Sequence, residues 1–243
     1  MTELALVLLP GLDGSGVMFR PLLDHLHANL RPIVVVYPKD QPLGYEKLLP
    51  LVLAALPSES PFVLLGESFS GPLALMAAAT CPPGLLGVVL CATFVRNPVW
   101  FRPRWLRFLS RPMVFRMFPV MSRAKAKLAG YLTDGLRALI TEALSGVSAR
   151  VLAHRVRCVL EVDVRGQLAA CTVPILYLRG DRDRVVPEHN VADVTAGHPL
   201  VKVVRFPAPH HVLQTQPAAA AVAIAEFVGP LSLHSLPAEA LRP

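Results

Sequence analysis

A serine at the centre of a glycine-flanked hexapeptide is the first candidate for chemistry in this chain. The hexapeptide reads GESFSG at residues 66–71; it follows an apolar run at 62–65 and precedes a helical pattern at 73–79. A nucleophilic serine on a sharp turn between a strand and a helix needs small neighbours, because the backbone there is crowded and strained. We therefore expect Ser68 to be a nucleophile. Ser70 competes for this role, but the glycine and proline around it are spaced poorly for such a turn.

The elements that must position this serine are visible as short apolar runs that alternate with helix-length segments. Strands rich in Val, Ile and Leu are predicted at 4–9, 33–37, 62–65, 86–90, 173–178 and 201–206. Helices are predicted at about 18–29, 45–56, 70–80, 188–196 and 214–228. This alternation predicts an α/β protein with a parallel sheet covered on both faces, and with ligand sites at the carboxyl ends of its strands.

Because of this hexapeptide and its position between a strand and a helix, the chain resembles the α/β-hydrolase superfamily of serine hydrolases. The resemblance extends over nearly all of its length. The resemblance implies an α/β-hydrolase fold, a mostly parallel sheet flanked by helices, with a helical cap inserted between two strands. We expect a core made of residues 1–95 and 166–243, with an irregular tail from about residue 229. The inserted segment is then 96–165, where the pattern becomes helical, aromatic and basic and no good strand is visible.

The superfamily places its triad in the chain order serine, Asp or Glu, histidine. Residues 179–187, RGDRDRVVP, follow a predicted strand and look like the family's acid loop, in which an Asp three residues after a Gly precedes an apolar pair and a Pro. Asp183 has this place and is the expected acid, with Asp181 as the alternative. An Asp in such an Arg-rich loop also has a purely structural interpretation, as the partner of an exposed arginine.

The histidine of the superfamily follows the last strand and commonly stands seven residues before a proline that opens the last helix. His210 has this spacing to Pro217, whereas His211 is one residue out of phase and remains the alternative. In the implied mechanism, His210 takes the proton of Ser68 during attack on an acyl carbonyl, and Asp183 orients the imidazolium.

An oxyanion hole is expected from the glycine-rich loop at residues 9–16. The family usually has His-Gly where this chain has Pro-Gly at 10–11. By correspondence with the family, the donors are the backbone amides of Leu12 and Phe69. Asp13 is expected to point away from the oxyanion and to hold the loop by hydrogen bonds within the turn. The loop has neither a G-x-G-x-x-G sequence nor the Lys-Ser/Thr pair of a Walker motif, so nucleotide binding is not supported.

The inserted segment holds fourteen Lys and Arg against four Asp and Glu, a net charge of +10, whereas the rest of the chain carries −3. By the resemblance, the segment is a cap whose apolar face is expected to line an acyl pocket, with Trp100, Trp105, Phe108 and Met113 as candidates. The alternative is that most of its aromatic residues only pack the cap onto the core. The basic face is a solvated surface, a docking site for an acidic acyl carrier protein, or a contact with an anionic membrane. No nucleic-acid recognition motif accompanies the charge, so a nucleic-acid partner is not expected.

Composition excludes several classes of protein. The chain is 53% hydrophobic and has a net charge of +7, and its mean hydropathy is +0.48. The longest uncharged stretch, 68–95, is interrupted by Gly and Pro, so no transmembrane span is expected. The first residues do not resemble a signal peptide. Four scattered cysteines with no metal-ligand spacing indicate reduced thiols in a cytoplasmic protein, and no metal or organic cofactor is expected.

Together these observations predict a serine carboxylesterase that hydrolyses small acyl esters of short to medium chain length through an acyl-enzyme. In size, triad order and cap placement the chain is similar to the carboxylesterases that demethylate pimeloyl-carrier-protein methyl esters in biotin synthesis. That similarity supports an alternative: an esterase or thioesterase whose acyl group arrives on an acyl carrier protein or on coenzyme A. A third hypothesis is a catalytically silent hydrolase fold that serves as a binding module.

Overall fold

A six-stranded parallel sheet forms the centre of the molecule. The structure is a computed structural model, and it describes residues 4–58, 60–99 and 133–234. The strands are β1 (Leu4–Leu9), β2 (Leu30–Val34), β3 (Phe62–Glu67), β4 (Leu85–Cys91), β5 (Ile175–Gly180) and β6 (Val201–Phe206). Within the described residues they pair side by side in the order β2-β1-β3-β4-β5-β6, and every pair is parallel.

Helices cover both faces of this sheet. They are α1 (Arg20–Leu23), α2 (Tyr45–Ala54), α3 (Gly71–Ala78), α4 (Asp134–Leu144), α5 (Ala149–Glu161), α6 (Arg165–Ala170), α7 (His189–Gly197), α8 (Val212–Thr215) and α9 (Pro217–His234). Apolar residues of α2, α3, α6 and α7 belong to the core on one face, and those of α1, α8 and α9 to the core on the other. The predicted doubly covered parallel sheet is therefore confirmed.

Strand β1 shows why the apolar runs were continuous rather than alternating. Its side chains point to the two faces in turn: Ala5, Val7 and Leu9 pack in one core, and Leu4 and Leu8 pack in the other. All six residues of the strand are buried. A strand that is buried on both faces has no solvent side on which polar residues would recur.

The second strand and the first helix differ from the prediction. The strand expected at 33–37 begins instead at Leu30 and runs through Pro32, which is tolerated because β2 lies at the edge of the sheet. The helix expected at 18–29 is reduced to a 3₁₀ turn, Val17–Phe19, and the single turn α1. The residues that follow α1 are largely exposed, so no packing stabilises further helical turns.

The last helix is longer than expected. An irregular tail was predicted from about residue 229, but α9 continues past Gly229 and Pro230 to His234. Phe227 and Leu231 pack so closely on β4 that a Cβ added at Gly87 would lie 3.0 Å from each of them. This apolar contact with the sheet outweighs the local preference of Gly and Pro for a turn.

The two ends of the inserted segment lie side by side. An isolated antiparallel bridge joins Arg96 to Asp163, and the Val164 amide donates to the carbonyl of Val95 at 2.7 Å. Between these ends the described part of the segment forms α4 and α5. The four pocket candidates of this segment lie outside the described residues: Trp100, Trp105, Phe108 and Met113.

Two further features concern the described residues only. None of their helices is both long enough and apolar enough to cross a membrane. Within that same part of the chain, no group of three or more His, Cys, Asp or Glu side chains is arranged to hold a metal ion.

Candidate active site

The serine of the hexapeptide lies in a strained turn at the end of β3. Ser68 has a φ of 48°, in the left-handed region that non-glycine residues rarely adopt, and it begins a 3₁₀ turn that leads into α3. The hydroxyl of Thr93, just after β4, donates to the carbonyl of Ser68 at 2.5 Å and holds this conformation. The turn therefore presents the Ser68 side chain at the carboxyl end of the sheet.

Two glycines make the turn sterically possible. A Cβ on Gly66 would lie 2.6 Å from the carbonyl oxygen of Ser70, which is a backbone atom that cannot move away independently. A Cβ on Gly71 would lie 2.1 Å from the hydroxyl oxygen of Thr93. The small residues predicted around Ser68 are thus required by close contacts on both sides.

Ser68, His210 and Asp183 form one hydrogen-bonded chain. His210 follows β6, and its Nε2 lies 3.0 Å from Ser68 Oγ, while its Nδ1 lies 2.9 Å from Asp183 Oδ2. Because a carboxylate only accepts, Nδ1 carries the proton and donates to Asp183, and Nε2 accepts from the Ser68 hydroxyl. In this tautomer the imidazole can remove the serine proton.

The Asp183 carboxylate is held from several sides in the loop after β5. Its Oδ1 accepts hydrogen bonds from the backbone amides of Val185 and Val186 at 2.8 and 3.0 Å, and Arg179 Nη1 lies 3.5 Å from Oδ2. Burial opposes ionisation of Asp183, but the hydrogen bonds from His210 and the two amides outweigh it, so its pKa lies below the usual value. The group remains an anion beside His210.

A close approach of two loops brings the acid and the histidine together. Gly180 ends β5, and a Cβ there would lie 2.4 Å from the carbonyl oxygen of Pro209 and 2.6 Å from that of Ala208. Glycine at this position lets the loop that carries Asp183 touch the loop that carries His210.

The alternative residues are placed differently. Asp181 is exposed and pairs with Arg205 at 3.4 Å. His211 is partly buried beside His210, with the ring centroids 5.6 Å apart, and burial lowers its pKa to about 4. Ser70 is fully buried. Only Ser68, Asp183 and His210 of the candidates are joined by hydrogen bonds among the described residues.

The chain departs from the family pattern at two positions that meet in the structure: Pro10, and Ser70 in place of the second glycine of G-x-S-x-G. The hydroxyl of Ser70, where the family has Gly, donates to the carbonyl of Pro10, where the family has His. Ser70 in turn accepts a hydrogen bond from the hydroxyl of Tyr37, at 2.7 Å. A serine at this place therefore ties the loop after β1 to the turn that carries Ser68.

A buried arginine of the inserted segment holds the same loop. Arg155, on α5, is fully buried and donates to the carbonyls of Leu12, Asp13 and Pro38 at 2.8, 2.9 and 3.0 Å. Its guanidinium lies 5.5 Å from the centre of the Tyr37 ring. No local signal in the sequence distinguishes Arg155 from the other basic residues of the segment.

Asp13 closes the turn as predicted, but it does not point away from the cavity beside Ser68, which it lines. Its Oδ2 accepts from both the amide and the hydroxyl of Ser15, at 2.8 and 2.5 Å, which closes the turn. Leu12 borders the same cavity as Ser68, and Phe69 follows Ser68 directly. The Phe69 ring is buried and stacks on Tyr45 with centroids 4.7 Å apart, so it lies within the core rather than in the cavity.

A small cavity of about 270 Å³ opens above Ser68. Its described lining is mostly apolar: Gly11, Leu12, Met18, Ile140, Ala143, Leu144 and Val185, with Asp13, Glu67, Ser68, His210 and His211. Ile140, Ala143 and Leu144 come from α4, so the inserted segment contributes apolar walls next to the serine. A larger cavity of about 490 Å³ lies elsewhere, between α2 and α5, and includes none of the three hydrogen-bonded residues.

Comparison with known proteins gives concordant results. The chain matches the alpha/beta hydrolase family over residues 6–224. It is 30% identical over 208 residues to the biotin biosynthesis bifunctional protein BioHC of Cellvibrio japonicus, covering 77% of this chain and 40% of that longer protein. It is 30% identical over 201 residues to the pimeloyl-(acyl-carrier protein) methyl ester esterase of Xanthomonas oryzae pv. oryzae, covering 75% and 78% of the two chains.

Among solved structures, an esterase (EaEST) from Exiguobacterium antarcticum is similar, with a TM-score of 0.79 at 17% identity, covering 94% of this chain and 92% of that one. This likeness concerns the fold. The predicted α/β-hydrolase fold is confirmed, and the family match together with the esterase relatives supports a carboxylic ester hydrolase. The chain belongs to the alpha/beta hydrolase family.

Proposed function

We propose that the protein is a serine carboxylesterase that hydrolyses short- to medium-chain acyl esters. The observation that carries this proposal is the hydrogen-bonded chain from Ser68 Oγ through His210 to Asp183, at the edge of an apolar cavity. A buried carboxylate, an imidazole in the required tautomer and a hydroxyl in a strained turn are the components of nucleophilic acyl transfer.

The mechanism follows from these positions. His210 Nε2 takes the proton as Ser68 Oγ attacks the ester carbonyl carbon, and Asp183 stabilises the imidazolium that forms. Collapse of the tetrahedral intermediate breaks the bond to the alcohol oxygen, which receives the proton from His210. The same imidazole then removes a proton from water, which attacks the acyl-enzyme carbonyl. Collapse of this second intermediate breaks the bond to Ser68 Oγ, which receives the proton from His210, and the carboxylic acid is released.

The oxyanion of the tetrahedral intermediate is assigned in this proposal to the backbone amides of Leu12 and Phe69. The support is that Leu12 borders the cavity and that the Gly11 carbonyl, which belongs to the same peptide unit as the Leu12 N–H, accepts a hydrogen bond from the Gly14 amide at 3.1 Å. Arg155 holds the next carbonyl of the loop, that of Leu12. The hydroxyl of Ser70 holds Pro10 at the other end of the same loop. Arg155 and Ser70 are therefore positioning residues in this mechanism, because they act through the loop rather than on the substrate.

A panel of p-nitrophenyl esters of increasing acyl length tests the proposal. We expect turnover of acetate to octanoate esters and covalent labelling of the protein by a fluorophosphonate probe, which reacts with an activated serine. The apolar lining of a cavity of about 270 Å³ leads us to expect kcat/KM to peak within this range rather than at long chains. A folded protein that neither turns over any ester nor takes the label would instead indicate a binding module.

A second candidate is an esterase or thioesterase whose acyl group arrives on an acyl carrier protein. The relative from Xanthomonas oryzae is named for such a substrate. In the sequence of this chain, residues 100–132 contain eight Lys and Arg and no Asp or Glu, whereas the described remainder of the inserted segment is nearly balanced in charge. A cluster of this kind suits an acidic protein partner.

The carrier-protein candidate predicts turnover of an acyl-carrier-protein methyl ester that declines as salt screens the charges. Neutralising Arg102, Arg104 and Arg107 together is expected to raise KM for this substrate about tenfold or more and to leave a p-nitrophenyl ester unaffected. Arg150→Ala, at an exposed arginine on α5, is the matched control and should change neither. Salt-independent turnover, or equal losses on both substrates, would contradict this candidate.

The proposal includes a cytoplasmic location for the protein. Its support is that Cys81, Cys91, Cys158 and Cys171 are all free thiols.

A further inference from the structure

The residue directly before the nucleophile is a buried acid. Glu67 ends β3 and is 6% exposed. Its Oε1 accepts a hydrogen bond from Gln214 Nε2 at 2.8 Å, and Gln214, on α8, is anchored by a second bond to the carbonyl of Met18 at 3.0 Å. Oε2 is buried and has no hydrogen-bond partner among the described residues. A buried carboxyl oxygen without a partner destabilises the fold, so its retention here needs an explanation.

Glu67 borders the cavity that contains Ser68, and its unpaired oxygen is buried with almost no exposed surface. A Cβ on Gly11 would lie 4.0 Å from Glu67 Oε2 and 3.6 Å from Asp13 Oδ1. The two carboxyls therefore converge on the same small space beside Gly11. Oδ2 of Asp13 is already taken by Ser15, so Oδ1 and Glu67 Oε2 are the oxygens that face this space.

Within the described residues, Glu67 forms no ion pair that would stabilise its charged form. The titratable and charged groups that surround the two carboxyls, besides the carboxyls themselves, are Tyr37, Cys91, Arg155, His210 and His211. Burial raises the pKa of Glu67 to about 7; the hydrogen bond from Gln214 opposes this rise, and the negative charge of Asp13 adds to it. Near neutral pH the Glu67 carboxyl thus carries a proton in a large part of the molecules.

We propose that Glu67 is a further specificity-determining residue, whose protonated carboxyl donates a hydrogen bond from Oε2 to an uncharged oxygen of the bound ester. This inference rests on the proposed function. The geometry favours this role because Oε1 is already engaged as an acceptor by Gln214, which leaves Oε2 to carry the proton on the side of Gly11, a residue that lines the cavity. The neighbouring Asp13 disfavours a substrate with a free carboxylate at this place.

Loss of this proton harms the reaction in two ways. The ionised carboxyl no longer donates to the substrate, and its charge opposes the negative charge that develops on the carbonyl oxygen next to Ser68. Deprotonation of one group lowers the active fraction about tenfold for each pH unit above the pKa. The esterase is therefore expected to lose activity above about pH 7 through Glu67.

Profiles of kcat/KM against pH, with p-nitrophenyl butyrate as substrate, test this role. Glu67→Gln keeps an acceptor for Gln214 and a donor toward the cavity but does not titrate, so its activity should stay level where that of the parent falls. Glu67→Met removes the donor and should reduce kcat/KM at pH 6 about tenfold relative to Glu67→Gln. Glu46→Gln, at an exposed acid on α2, should match the parent at every pH.

A parent profile that is level to about pH 9, or a decline that persists in Glu67→Gln, would overturn the inference. An infrared difference spectrum of the parent minus Glu67→Gln, both at pH 6, provides a readout that is independent of activity. It should show the C=O stretching band of a neutral carboxylic acid, which only the parent has at this position. If the band is missing in an active enzyme, this inference alone fails. If the parent hydrolyses no ester, the proposed function and this role fail together.

Discussion

Replacing Ser68 with alanine is expected to lower kcat for ester hydrolysis by on the order of 10⁴-fold or more, because no acyl-enzyme can form without its hydroxyl. The side chain donates only to His210 Nε2 among the described contacts, at 3.0 Å, so its loss leaves the core packing unchanged. The measurements are kcat on p-nitrophenyl butyrate, fluorophosphonate labelling, and Tm, which should stay near that of the parent.

Ser70→Ala is the matched control, two residues along the same turn. Its hydroxyl lies in the interior between Tyr37 and Pro10, so its removal should lower Tm by leaving those groups unpaired. It should keep the fluorophosphonate label, which reports the Ser68 nucleophile. The nucleophile is misassigned if Ser68→Ala keeps full activity. It is also misassigned if folded Ser70→Ala loses the label while Ser68→Ala keeps it.

Asp183→Asn is expected to lower kcat by on the order of 10⁴-fold at neutral pH. An amide at this position has one acceptor oxygen, and the backbone amides of Val185 and Val186 already occupy Oδ1. The NH₂ group then faces His210 Nδ1 and favours the tautomer that has its proton on Nε2, which cannot accept from Ser68. The hydroxyl stays in place but loses its base, so fluorophosphonate labelling should slow in parallel with kcat.

The same variant has a predictable effect on stability. Because the pKa of Asp183 is below its usual value, the folded protein binds this proton less readily than the unfolded chain does. The carboxylate therefore stabilises the fold above the usual range of an aspartate, and this stabilisation is lost as pH falls through the folded pKa. The Tm deficit of Asp183→Asn should be largest at neutral pH and shrink in acid.

Asp181→Asn is the control for this position. Asp181 is exposed and pairs with Arg205 on the surface, a contact of small energetic value, so both kcat and Tm should stay close to the parent. If Asp181→Asn loses activity and Asp183→Asn retains it, the roles of the two acids are reversed.

The alternation of apolar runs and helical segments was sufficient to predict the fold class, because strands buried on both faces of a sheet appear in the sequence as continuous apolar runs. The alternation predicted the ends of strands and helices less well. The strand expected at 33–37 is β2 at Leu30–Val34, and it can include Pro32 because β2 lies at the edge of the sheet. Helix α9 passes Gly229 because its apolar side chains pack on the sheet. Both outcomes depend on neighbours that are remote in sequence.

By itself, the sequence determined the class of fold. Local spacing and chain order also predicted Ser68, Asp183 and His210 as nucleophile, acid and base, with Asp181 and His211 as alternatives. The tertiary structure decided how these groups are held and charged. Arg155 binds the loop at Leu12 from a segment more than a hundred residues away. The pKa of Glu67 is raised because the surrounding elements bury its carboxyl. Hydrogen bonds and pKa values at the site depend on burial and on contacts between residues that are remote in sequence, so the local sequence does not predict them.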